Sequence, residues 1–306
     1  MTTPADAIPE VSMGSGMDAA AGAKQTFYWS LRRELWENRS VWIAPLIVAA
    51  VALLGFAINV WGLAERTRAA LLLPPESQRF RIGGPYDMAA LVLIVTGLIV
   101  AAFYSLDALH GERRDRSILF WKSLPVSDRT TVLAKASVPL VVIPALIFVL
   151  TVTVQAIMFL LAGAVLLAHG MSPASTLAGW NPLVQAVILL YGLVALALWH
   201  APLYAWFILV SGWARRAIVL WAVVPFIALS ALFRVGRAST DVCDLLVYRI
   251  VGVIKEAFAF VGGRVDSLAQ LTPGTFLSRP GLWIGLALAA VFLVAAVRVR
   301  RNREPI

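Results

Sequence analysis

"GERRDRSILFWKSLPVSDRTTVLAKAS", residues 111–137, is a charged, turn-rich segment between two long apolar runs. At its centre Ile118, Leu119, Phe120 and Trp121 stand in a row, with Arg113, Arg114, Asp115 and Arg116 before them and Lys122 after. What flanks it decides its reading. The chain is 60% hydrophobic and 14% charged, with a mean hydropathy of +0.82, whereas a soluble domain carries about a quarter charged residues. Several apolar runs exceed the ~18 residues needed to cross a bilayer as helix. The sequence predicts an all-α polytopic membrane protein, and residues 111–137 are a hydrophilic loop within it.

Six spans are expected, over residues 41–63, 86–109, 138–168, 183–210, 217–233 and 281–297. The fifth and sixth are near the lower length limit. An even count places both termini on one side. Lys24, Arg32, Arg33 and Arg39 precede the first span, and Arg298, Arg300, Arg301 and Arg303 follow the last. With the second loop and the Arg215–Arg216 pair, that side carries sixteen Lys and Arg, against ten on the other. Six of those ten lie in one long loop, which counts for little, so the positive-inside rule makes the termini and residues 111–137 cytoplasmic.

Residues 241–262 are long enough for a seventh span, but Arg249, Lys255 and Glu256 would lie inside it. A charge at the bilayer centre costs about 2.5–3.5 kcal/mol, and an odd count would leave the arginine-rich tail outside. Val242, Leu245, Leu246, Ile250, Val253 and Ala257 fall on one helical face. Within the outer loop, residues 234–280, the pattern predicts an amphipathic helix, or a re-entrant pair broken near Gly252.

Residues 1–22 contain no Lys or Arg and no apolar run, so they lack the parts of a signal peptide; they read as a disordered cytoplasmic tail. Residues 23–40 are amphipathic: Tyr28, Leu31 and Leu35 form a stripe beside Phe27 and Trp36, and Arg32, Arg33, Glu37 and Asn38 face away. Arg33 and Glu37 are spaced to pair. An interfacial helix in the inner headgroup layer is expected.

The formal net charge of +9 belongs with cytoplasmic loops and anionic headgroups, so no nucleic-acid partner is expected. Cys243 is the only cysteine, which excludes an intrachain disulfide.

In residues 111–137, Gly111 permits a bend after the second span, and the following charges force exit from lipid. Ile118 pairs with Trp121, and Phe120 with Leu124, on helical spacing. Pro125 stops that helix, Ser127 is placed to cap the next, and Asp128 suits its positive end. The apolar knobs have two readings: they lie on the inner leaflet, as aromatic belts do, or they plug a groove on a cytoplasmic partner, where an aromatic anchor ringed by charge makes a hot spot.

This segment resembles the cytoplasmic loop of permeases of the bacterial type-2 ATP-binding-cassette (ABC) exporter family. Residues 199–226, "WHAPLYAWFILVSGWARRAIVLWAVVPF", are similar to that family's fourth-to-fifth-span region. The two stretches cover 27 and 28 of 306 residues. The resemblance implies a permease in the bacterial inner membrane whose loop, residues 110–137, is a coupling helix docked on an ATPase. It assigns Arg113, Arg114, Asp115, Arg116, Ile118, Leu119, Phe120, Trp121, Lys122 and Leu124 to that interface. It also implies two permeases with two ATPases. The chain has no G-x-x-x-x-G-K-[ST] loop, so ATP and Mg are expected in a separate ATPase subunit, with no cofactor and no enzymatic activity in this chain.

His110, His169 and His200 fit no metal-ligand spacing, and no metal is expected. His200, Gln155, Gln185, Tyr191 and Tyr204 are polar residues within spans: they line a substrate path or make interhelical hydrogen bonds. Asp107 and Glu112 are expected to pair with the adjacent arginines. Rival readings are a non-transporting ABC-type sensing or assembly complex, an integral-membrane enzyme and a secondary transporter. The last two lack an assembled acid, base or metal set, and an internal repeat or intramembrane charge relay.

Overall fold

The computed structural model describes residues 16–115, 126–174, 180–235, 242–259 and 264–302. Every regular element among them is helical, and five helical stretches are long and apolar enough to cross a membrane.

Helix α1, Gly16–Glu37, begins inside the segment read from composition as tail. That stretch is rich in Ala, the strongest helix former, so the helix continues back through it. After a two-residue break α2, Ser40–Asn59, runs through a 3-10 turn into α3, Leu63–Leu71. Helix α4, Pro75–Asp107, returns, with proline at its first turn where no N–H is required. The chain turns at Ala108 and Leu109 into α5, His110–Arg114. The bend expected at Gly111 therefore falls just before it, and Gly111 itself is helical.

Helix α6, Asp128–Ser137, starts at Ser127, whose side chain accepts from Thr130 N. It joins α7, Ile143–Ala168, through a π-helical stretch, Val138–Val142. Pro139 and Pro144 withhold two N–H donors there, and the ladder slips to the wider register. Helix α8, Pro182–Trp213, is capped by Asn181, whose side-chain oxygen accepts from Leu183 N and Val184 N. A tight turn with Ala217 at φ 51° leads to α9, Ile218–Val235. The apolar part described in α9, Ile218–Ala228, is shorter than the five crossing helices.

The chain continues as α10, Val242–Val251, and α11, Val253–Ala257, broken at Gly252, then a 3-10 turn, α12, Pro273–Ser278, and the last long helix α13, Pro280–Asn302. Val253 and Ala257 are buried as the periodicity predicts, but Ile250 is exposed.

The core joins α2, α4, α7 and α8 around Phe56, Tyr86, Leu93, Ile147 and Met158. Tyr86 stacks on Trp180 with ring centroids 4.2 Å apart. Gly97 of α4 lets Ile147 of α7 approach so closely that a Cβ there would lie 2.7 Å from Ile147 Cγ1, the device by which small residues bring spans together in lipid. Helix α13 lies along α8, with Ala289 against Ala201 and Ala205. The bundle surface is largely apolar: Ile47, Val51, Leu54, Ile58, Phe103 and Leu160 are all exposed, as in a protein solvated by acyl chains.

Candidate functional site

Helix α1 turns Glu34, not only leucines, toward the bundle. Leu31 and Leu35 pack on the core as expected, while Tyr28, Trp29 and Trp36 are exposed. Arg32 lies over the Trp29 and Trp36 rings at 5.2 and 4.7 Å. The inward face therefore lies one position away from the expected stripe, and it carries an acid. Burial without a partner would cost several kcal/mol, so Glu34 requires cations, and the loop supplies one of them.

Lys135 of α6 places Nζ 2.9 Å from Glu34 Oε1 and 3.2 Å from Glu112 Oε1 of α5. Arg33 Nη2 lies 2.8 Å from Glu34 and 3.1 Å from Glu112. Arg300, near the end of α13, contacts Glu112 Oε2 at 3.3 Å and pairs with Asp128 at the start of α6. Tyr104 of α4 donates its hydroxyl to Glu34 at 2.9 Å. The side chains of Glu34, Lys135, Arg300 and Glu112 are 1%, 3%, 4% and 6% exposed. Arg33, Lys135 and Arg300 balance Glu34, Glu112 and Asp128 in charge. Burial pushes the Glu34 carboxyl up, but Lys135 and Arg33 outweigh it and hold the group below the ordinary glutamate value.

This network joins both stems of the loop to both ends of the described chain. Glu112 stands on the outgoing stem, Asp128 and Lys135 on the returning one, Arg33 and Glu34 on the first helix, and Arg300 on the last. Glu112 thus pairs with residues remote in sequence. Asp107 does face Arg114, at 4.0 Å. Arg33 and Glu37 pair at 3.6 Å, as their spacing predicts.

A second latch holds the outgoing stem to α8. Arg113 is buried and donates from Nη1 to the Gly212 and Ala214 carbonyls at 2.8 and 3.4 Å, which would otherwise be unpaired acceptors at a helix end. Leu109 N donates to Ser211 Oγ at 3.2 Å, and His110 Nδ1 lies 3.3 Å from Ala214 O. Arg113 therefore faces the protein. Arg114 and Asp115 are exposed and pair with each other at 3.1 Å. Arg116, Ile118, Leu119, Phe120, Trp121, Lys122 and Leu124 lie outside the described residues.

The intramembrane polar residues are brought to different places. Gln155 donates to Tyr86 O at 3.2 Å, joining α7 to α4. Tyr191 donates to Ala257 O at 2.9 Å, joining α8 to α11. His200 lies between Leu196 O and Ile250 O, at 2.9 and 3.1 Å. Tyr204 is buried with its ring 6.1 Å from that of His200, and Gln185 is half-buried near the start of α8. None of the five lines the large cavity of about 910 Å³ between α2–α3 and α4.

Beside His200, the Arg249 guanidinium lies 4.4 Å over the buried Trp199 ring and donates to Gly281 O at 3.0 Å. Gly285 leaves room for it: a Cβ there would overlap the guanidinium, and the Arg249 side chain would have to shift. Arg279 and Tyr248 both engage Glu256, at 2.7 and 2.6 Å. Among the described residues no group of His, Cys, Asp or Glu is assembled to hold a metal.

Sequence reasoning named the arginines around the loop but missed Glu34, Lys135 and Arg300 as one unit. One signal was present: Glu34 interrupts the stripe between Leu31 and Leu35, and an acid on a buried face demands a partner. No protein-family model, curated protein or solved structure matches this chain.

Proposed function

We propose that the chain is the permease subunit of an ABC transporter of the type-2 exporter kind, coupling ATP hydrolysis by a separate ATPase subunit to substrate movement across the bacterial inner membrane. One observation carries the reading. Both stems of residues 110–137 are clamped in a largely buried network of paired charges together with the first and last helices. A loop that merely connected two spans would have no need of such a mount; a loop that transmits force would.

The mechanics follow from the connections. Helix α5 continues the second crossing and α6 the third. A pull on the loop from the cytoplasm moves both inner ends, and through Glu34 and Arg300 it carries α1 and α13 along. The π-helical stretch gives the third crossing a joint between its clamped base and its membrane part. The ATPase must bind the two arrangements unequally for its closure to shift the permease. Two permeases then face each other, each with its ATPase, and Mg-ATP binds only in the latter.

Helix α9 is the fifth of six crossings in this reading, with both termini cytoplasmic, as the basic residues favour. Helices α10 and α11 form a re-entrant pair on the outer side. The Arg249–Trp199 contact supports this: Trp199 lies 17 residues into α8, roughly 26 Å along it.

The test targets the aromatic pair. The tagged chain, purified from its native membranes, is expected to retain a protein with a G-x-x-x-x-G-K-[ST] loop. Phe120→Ala with Trp121→Ala should release that companion while the chain stays inserted. Absence of such a companion overturns the transporter reading, and retention by the double variant overturns the docking assignment.

A further inference from the structure

The cavity between the first two long helices has the shape and charge of a lipid site. Its volume is about 910 Å³, within the range of small-molecule pockets. Its deep walls are apolar, with Val51 and Phe56 of α2, Val92 of α4 and Met158 of α7 among them. At the opposite end the lining changes to Arg66 of α3 and Arg81 of α4. From Arg81 to Val92 is about 16 Å of helix, close to the ~15 Å depth of one leaflet's hydrocarbon.

The two arginines are exposed and make no ion pair or hydrogen bond among the described residues. Their neighbours are engaged: Arg68 donates to His169 O at 3.0 Å, and Arg264 pairs with Asp87. Arginines that only anchored a helix at the headgroup level would need no apolar cleft beneath them. Here both guanidiniums border the same cleft, and guanidinium is the side chain best suited to a phosphate.

We infer that the cleft between α2–α3 and α4 binds an anionic membrane phospholipid, its phosphate held by Arg66 and Arg81 and an acyl chain lying along the Val51–Val92 wall. This does not rest on the export reading: it requires only a membrane-embedded bundle.

The test uses the full chain in phosphatidylcholine nanodiscs. Phosphatidylglycerol bearing a photoactivatable acyl chain is added, and phosphatidylcholine with the same label serves as comparison. Labelled peptides from α2 and α4 are expected with phosphatidylglycerol. Arg66→Ala and Arg81→Ala should each weaken labelling about fivefold, the effect of one cation near an anionic lipid. Arg79→Ala, in the same loop but not lining the cleft, should leave it unchanged. Gly55→Phe should abolish labelling, since Gly55 borders the cleft and the ring would occupy it, while Gly55→Ala, whose Cβ meets nothing within 4 Å, should leave the thermal midpoint undisturbed. Equal labelling by both lipids, or equal loss in Arg79→Ala, would mean a nonspecific annulus and overturn the inference. So would a Gly55→Cys variant that cross-links to a second copy in the absence of labelling, because the cleft would then be a subunit interface.

Discussion

Lys135 donates to Glu34 Oε2 at 3.0 Å and sits 2.9 Å from Oε1, across 101 residues of sequence. One partner stands on the helix before the first crossing and the other on the returning stem of the loop. The pair fixes where the loop sits relative to the membrane domain, because neither charge tolerates burial alone.

Lys135→Ala leaves Glu34 and Glu112 facing each other in a buried site. The loss is expected to be about 3–5 kcal/mol, read as a fall in the thermal midpoint of the protein in detergent. Arg114→Ala, at the exposed end of the outgoing stem, should leave the midpoint unchanged. Equal effects would mean that the network is not the mount.

Acid should undo the same contact. The Glu34 carboxyl lies below its ordinary value in the folded protein, so it contributes stability that is complete above the unfolded glutamate value of about 4.3 and is lost as pH falls through the lower native value. Hydrogen exchange of α1, taken relative to the intrinsic amide rate at each pH, is expected to be unchanged from pH 7 to 5 and to rise below about pH 4. In Glu34→Gln that rise should be blunted.

Gly97→Leu places a side chain against Ile147, where even a Cβ would lie 2.7 Å away. Overpacking of this kind costs about 1–3 kcal/mol. The second and third crossings should separate, seen as a lower midpoint. Gly84, whose Cβ would meet nothing within 4 Å, should accept Leu without loss.

Arg249→Ala removes the stacking on Trp199 and the donation to Gly281 O. A loss of about 1–2 kcal/mol is expected. Because it falls on α10 and α11, protease should cut near Gly252 sooner than in the parent, while α13 remains protected. Unchanged cleavage would show that α10 and α11 are held by other contacts.

The helical, membrane-embedded character of the chain was legible in its composition, because a 20-residue apolar run has few alternatives to crossing lipid as helix. Local chemistry was legible as well: Ser127 caps α6, Arg33 meets Glu37, and α10 and α11 are separated at Gly252. The face of α1 was harder. Tyr28 and Trp36 are exposed, and Glu34 is charged but buried, which a pattern that sorts residues by hydrophobicity does not find.

Sequence alone determined that the chain is helical and placed the five long apolar helices, though not the start of α1 at Gly16 or the short apolar length of α9, since hydrophobic runs and proline, glycine and serine punctuation act over a few residues. Tertiary structure decided which charges meet. Glu34, Glu112, Lys135 and Arg300 are scattered from the first helix to the last, and each alone reads as a surface group. Only when the bundle closes are they excluded from water together, and desolvation then turns four ordinary side chains into one unit.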